Sequence, residues 1–104
     1  VVSRGEVWWV TSTAGGRRPH LVLTRDGAIG VLHAVIAVPA TTTVRAIPTE
    51  VRLDEADGMP RACALSLDNL VTVPTARLVS RITTLAPERM REVCRALSIA
   101  TGCA

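Results

Sequence analysis

The 104-residue sequence predicts a mainly β fold: a small barrel or barrel-like sheet that carries one C-terminal α-helix. Three observations lead there. Between Glu6 and Leu85 roughly five to seven short runs rich in Val, Leu, Ile and Thr are bounded by Gly, Pro and Asp, the spacing of a small all-β architecture. After Pro87 the apolar period lengthens to that of a helix. Hydrophobic residues make up 48% of the chain, too many for a disordered segment. The length fits one domain spanning 1–104.

Glu6-Val7-Trp8-Trp9-Val10 reads as the first strand, because β-branched and aromatic residues favour the pleated state. Neighbouring side chains point to opposite faces, so one Trp is expected in the core and the other outside, at a subunit or ligand contact. Thr11 to Gly16 is a loop. Pro19 holds Arg18 extended, and His20 to Thr24 is the second strand, ended by a turn at Arg25-Asp26-Gly27. Leu32 to Val38 is apolar without alternation, which predicts a central strand buried on both faces and stopped by Pro39. Thr49 to Leu53 alternates, giving a strand with one wet face. Asp54 to Arg61 is a polar loop. Ala64 to Val73 is a further strand stopped by Pro74, and Leu78 to Leu85 gives one or two more.

The helix starts with Pro87 at its first position and Glu88 near its N-terminus. Met90, Val93, Cys94 and Leu97 recur at helical spacing and define its apolar face. Gly102 is the expected stop. Arg89, Arg91 and Arg95 alternate with Glu88 and Glu92, so this face reads as solvated rather than as a nucleic-acid reader.

Composition narrows the function. All twelve basic residues are Arg, and the net charge is +3. Arg-for-Lys replacement fits planar phosphate recognition, and it equally fits the codon usage of a GC-rich genome. There is no Phe or Tyr, so Trp8 and Trp9 are the only aromatic stacking platforms. Cys63, Cys94 and Cys103 have no CxxC spacing, which indicates neither a disulfide framework nor a zinc site; buried cytosolic thiols are expected. No metal or other cofactor is expected. The N-terminal segment does not read as a signal peptide. The uncharged run from Gly27 to Val44 is interrupted by Gly30, His33, Pro39 and three threonines, so no membrane span is expected. His20 and His33 read as surface or strand residues.

The stretch that carries chemistry runs from Arg17 to Thr43. Arg17-Arg18-Pro19 opens one strand, and Pro39-Ala40-Thr41-Thr42-Thr43 closes the next. Antiparallel pairing would set the end of the second beside the start of the first. A guanidinium fork and one or more hydroxyls would then face one point, a combination suited to a phosphate. From the residues alone, Arg18 reads more readily as a surface arginine paired with Glu6 or Asp26, and the threonines as a polar strand end.

Several segments in order resemble the MazF/PemK toxins of bacterial toxin–antitoxin pairs. They are Arg4-Gly5-Glu6-Val7-Trp8-Trp9, Arg17-Arg18-Pro19 before Leu21-Val22-Leu23, and Val38-Pro39-Ala40-Thr41-Thr42-Thr43. Ile47-Pro48-Thr49-Glu50-Val51, Leu67-Asp68-Asn69-Leu70 and Leu85-Ala86-Pro87-Glu88-Arg89-Met90 complete the set. The resemblance implies an SH3-like β-barrel, shared with CcdB, and a homodimer. It implies a cytoplasmic, metal-independent endoribonuclease that cuts single-stranded RNA through 2′-hydroxyl attack, restrained by an acidic MazE-like antitoxin.

By the resemblance, Arg18 and Thr41 are the catalytic residues. Asp68, Asn69 and Arg77 match the family's RNA-binding positions, and Arg17, Thr42 and Arg45 are further candidate RNA contacts. The loop from Thr11 to Arg17 is shorter than the family's and lacks its Glu-Gln. Two other readings belong to the same fold. A CcdB-like gyrase poison would need a Trp-Gly-Ile end, where this sequence reads Thr101-Gly102-Cys103-Ala104. An inactive SH3-like binding module would need no catalytic residues.

Overall fold

The computed structural model describes residues 1–103. In chain order it has β1 (Glu6–Thr11), β2 (Arg17–Val22), a one-turn helix α1 (Asp26–Ile29), β3 (Ala34–Thr41), β4 (Glu50–Leu53), β5 (Cys63–Ser66), β6 (Val71–Pro74), β7 (Leu78–Thr84) and α2 (Pro87–Thr101). Short 3₁₀ turns fall at Glu55–Asp57, Leu67–Asn69 and Thr75–Arg77. The strands form one antiparallel sheet in the order β4-β5-β3-β2-β1-β7, with β6 added alongside β3. Among the described residues β4 and β7 do not pair, so the sheet curls like a barrel without closing.

The apolar runs dictate this arrangement. On β2 and β3, alternate residues enter two different cores. Leu21, Val38 and Ala40 join Leu53, Leu65 and Val93 on the side covered by α2. Val22, Val35 and Ala37 join Val10, Ile29 and Val73 on the other. The end of β2 and most of β3 are therefore apolar without alternation, as expected for β3 as a central strand. Ile36 departs from that expectation: it is 49% exposed. Burying the side chain of a Val or Leu contributes about 1.5–3 kcal/mol, so these two clusters supply the main driving force.

Three expected boundaries differ. Pro39 does not end β3, which continues to Thr41. His20↔Pro39 is the last pair with β2, and Ala40 and Thr41 pair with β5. The proline thus sits where β3 changes partners, the kind of irregularity at which a missing ladder donor is tolerated. The strand expected over Ala64 to Val73 is two strands, β5 and β6, both antiparallel to β3. A three-residue turn, Leu67–Asn69, separates them. Leu67 is buried there, so the turn is held from inside by packing. Arg25-Asp26-Gly27 begins α1 rather than a simple turn.

The helix runs from Pro87 and stops at Gly102, which adopts the left-handed conformation at φ 71°. Its buried face is rotated from the expected one. Val93 and Ala96 are buried, and Met90, Leu97 and Ala100 pack against the core, whereas Cys94 is exposed. Cys103 is exposed too, so only Cys63 is a buried thiol. Arg89 ties α2 to the loop after β4 through Asp57, with Nε donating to Oδ1 at 2.9 Å. Burial alone would raise the Asp57 carboxyl, but the hydrogen bond from Arg89 holds it below the ordinary carboxylate range.

Candidate active site

The β2–β3 pairing places the two halves of the Arg17–Thr43 stretch together. Arg18 lies two residues before His20, and Thr41 two residues after its partner Pro39. Both line a cleft of about 360 Å³. Its floor includes Met59 and Cys63, and its rim includes Trp9, Arg17, Thr42 and Arg61. Burial, then the nearby Asp57 and Asp54, push the Cys63 thiol up, so it is a neutral floor group rather than a nucleophile.

The alternative pairings of Arg18 are not realised. Glu6 is 6% exposed, and its carboxylate accepts from Ser3 N, Trp8 Nε1 and Arg81. Burial alone would raise this carboxyl; the Trp8 hydrogen bond, with those from Ser3 and Arg81, brings it below the ordinary range. Asp26 accepts from the Arg4 backbone N–H. Among the described residues the ion pairs involve Arg81, Arg89 and Arg91, and the Arg18 guanidinium is not one of them. Its donors are free for a ligand. The Thr41 hydroxyl accepts from Thr43 N at 3.1 Å, which leaves its proton free to be donated.

Arg17 lies over the Trp9 ring, its guanidinium carbon 4.5 Å from the ring centre, a cation–π contact. The two Trp side chains divide as expected, one toward a core and one toward a candidate ligand surface, although neither is fully buried or fully exposed. Both are half-buried, and β1 carries irregularities on either side of the Trp8-Trp9 pair in its pairing with β7. Trp8 packs against the second core, and Trp9 lines the cleft.

A second, wider cleft of about 690 Å³ adjoins the first. Arg17 and Arg18 line both, so the two form one groove. Asn69, Arg77 and His20 also line the second cleft. The Arg77 guanidinium donates to the Thr11 carbonyl, its Nε at 2.9 Å, bracing the β1–β2 loop. Asn69 donates to Ser66 Oγ at 2.7 Å.

Arg45 and Asp68 line neither cleft. Asp68 accepts from Thr49 Oγ1 at 2.6 Å, and Glu50 Oε1 accepts from the backbone N–H groups of Arg45 and Ala46. These contacts fix the β3–β4 connection, in which Ala46 adopts a positive φ of 55°. Arg61 and His20 are groove residues that sequence reasoning missed. Nothing in the polar run from Asp54 to Arg61 distinguishes Arg61, since only the folding of that loop against β3 brings it to Thr41.

A family model described as PemK-like, MazF-like toxin of type II toxin-antitoxin systems matches residues 3–101. The chain belongs to this family. It is 45% identical to the probable endoribonuclease MazF5 of Mycobacterium tuberculosis, over 97% of this chain and 94% of that protein. Among solved structures, it superposes on an endoribonuclease in complex with its cognate antitoxin from a mycobacterial species, with a TM-score of 0.90 at 27% identity. That match covers 100% of this chain and 98% of the other. A second, the Mycobacterium tuberculosis toxin MazF-mt6, gives a TM-score of 0.85 at 30% identity over 93% and 96%. The fold of this PemK/MazF family member is thus the toxin's open barrel. No helix among the described residues is long and apolar enough to cross a membrane.

Proposed function

We propose that this chain is the toxin of a toxin–antitoxin pair and a metal-independent endoribonuclease that cuts single-stranded RNA, with Arg18 and Thr41 as its catalytic residues. The observation that carries the assignment of residues is the cleft in which an unpaired guanidinium and a hydroxyl with a free proton face the same space. The RNA 2′-hydroxyl attacks the adjacent phosphorus, and negative charge builds on the non-bridging oxygens. Arg18 and Thr41 donate to those oxygens. One such donor is typically worth about 2.7–4 kcal/mol in the transition state. Arg18 also neutralises the departing 5′-oxygen; protonating it is a harder task for a group that stays charged. The products are a 2′,3′-cyclic phosphate and a 5′-hydroxyl.

The groove offers Arg17, Arg61 and Arg77 to the phosphates on either side, Trp9 as a stacking platform, and Thr42 and Asn69 as polar contacts. Arg45 and Asp68 act at one remove, through the β3–β4 connection. A cytoplasmic setting, a homodimer and an acidic MazE-like antitoxin follow from the family. The exposed Val31, Leu32, Ile36 and Val71 support a second copy as the cover of that apolar surface. The test is cleavage of single-stranded RNA in EDTA, with the ends identified by mass. Cyclic phosphate ends, and no cut where a 2′-hydroxyl is replaced by hydrogen, are expected. Intact RNA would instead favour a non-enzymatic toxin or a binding module.

A further inference from the structure

His20 is on β2, in a cleft whose lining contains three arginines and no carboxylate. Its Nδ1 lies 3.1 Å from the Arg18 carbonyl oxygen. A carbonyl can only accept, so Nδ1 carries the proton of that bond. In the neutral ring this leaves the lone pair on Nε2, because the bond made by one ring nitrogen fixes the state of the other. Arg18 and His20 are two apart on one strand and so share a face. His20 is paired with Pro39, and Thr41 is two residues beyond Pro39 on the facing strand. Arg18 lines the first cleft with Thr41 and the second with His20, so a phosphate held by Arg18 and Thr41 would have one flanking nucleotide running into the second cleft past His20.

We infer that His20 is a third catalytic residue, the general base that removes the proton of the attacking 2′-hydroxyl. The inference rests on Arg18 and Thr41 holding the scissile phosphate. Nε2 takes the proton of the 2′-hydroxyl, the 2′-oxygen forms its bond to phosphorus, and the bond to the 5′-oxygen breaks. The 5′-oxygen leaves with the electron pair, stabilised by Arg18, and takes a proton from water. The imidazolium returns its proton to solvent, so no net proton is consumed.

The surroundings favour the basic, neutral ring. Burial lowers the His20 pKa below the ordinary histidine value, and the charges of Arg18 on its own strand and Arg77 in the turn before β7 lower it further, against the opposing pull of the Arg18 carbonyl. Arg17 is the remaining charge in the cleft. Trp8 on β1 and Pro39 on β3, its cross-strand partners, do not titrate. The nearest carboxylate on β1, Glu6, is already held by Trp8 and Arg81.

The experiment compares the full chain with His20→Ala and His20→Gln on one RNA oligonucleotide across pH, with and without added imidazole. General base catalysis is typically worth about 10²–10⁴-fold, so a loss of at least about 100-fold is expected in both variants. The wild-type kcat/KM should fall on the acid side of the ordinary histidine range. Both variants should lack that limb, and imidazole should restore part of the rate of His20→Ala. Affinity for an oligonucleotide with hydrogen in place of the cleaved 2′-hydroxyl should stay within about twofold. An active His20→Ala with its acid limb intact overturns the inference. So does a rate loss matched by lost affinity and deaf to imidazole. In either case an inactive Arg18→Ala would leave the assignment of the cleft standing, whereas a wild-type protein that does not cut RNA would remove both.

Discussion

Gly58 closes the turn that carries Met59, Pro60 and Arg61 to the cleft, and Gly58→Ala tests how tightly that wall is held. Gly58 has φ 90°, and a Cβ placed there would lie 2.3 Å from Thr83 Oγ1 and 2.8 Å from Thr83 Cβ. Neither atom is free to retreat. Thr83 is on β7, and its hydroxyl donates to the Asp57 carbonyl at 3.0 Å. A left-handed conformation costs a residue with a Cβ roughly 1–2 kcal/mol. Forced overpacking adds about 1–3 kcal/mol. The stiffer unfolded chain returns about 0.4–1 kcal/mol. The net loss is about 1–5 kcal/mol, or a Tm fall of about 5–20 °C for a chain this size.

Urea unfolding and thermal melts measure it directly. Thr83→Ala removes the nearer contact and keeps the Cβ one, so Gly58→Ala/Thr83→Ala should lose less stability than the two single changes summed. The coupling should be about 1 kcal/mol, within the range for residues in contact. At a temperature where Gly58→Ala is still folded, its RNA cleavage should also drop, because Arg61 and Met59 shift with the turn. A Gly58→Ala protein within about 0.5 kcal/mol of wild type would refute the packing described here.

Other expectations concern charge. The folded pKa of Asp57 is depressed, so its contribution to stability is present above its unfolded pKa and lost as pH falls through the lower folded value. Asp57→Asn should be less stable at neutral pH and should flatten that acid decline in unfolding titrations. Arg77→Ala should weaken RNA binding at all sequences and reduce the magnitude of the salt slope by about 0.7 if it meets one phosphate of a single strand. Trp9→Leu should keep the fold and raise KM, since the half-buried ring loses a stacking surface and Arg17 its cation–π partner; an unchanged KM would remove Trp9 from the RNA path. An acidic antitoxin peptide should compete with RNA for the groove, and rising salt should weaken the RNA more than the peptide. Simultaneous binding without mutual weakening in a titration would contradict a shared groove.

The pairing that creates the cleft was legible because it depends on local signals. Arg17-Arg18-Pro19 stands before the apolar run Leu21-Val22-Leu23 and Thr41-Thr42-Thr43 after the apolar run of β3, and the two strands pair antiparallel in the register that brings those ends together. The helix was equally legible between Pro87 and Gly102, which act through backbone geometry alone. Its facing was not: Ala96 and Ala100 could belong to either side, and only packing against the core turned the helix toward them and left Cys94 outside. Pro39 misled because its missing donor matters only relative to a partner strand, and β3 changes partners there. Asp68-Asn69 read as strand residues, while they lie in the three-residue turn that separates β5 from β6. His20 and Arg61 gave no signal, since a lone His on a strand and an Arg in a polar loop gain meaning only from what the fold sets beside them.

The central claim is that the Arg18–Thr41 cleft does the cutting, and the rate of RNA cleavage by Arg18→Ala in EDTA under single-turnover conditions tests it most directly. The Arg18 guanidinium is exposed and has no ion pair within the described chain, so the variant should unfold within about 0.5 kcal/mol of wild type, as surface substitutions usually do. Its cleavage rate should fall at least about 100-fold, the usual cost of one oxyanion donor. A folded Arg18→Ala protein that cuts at the wild-type rate would contradict the account.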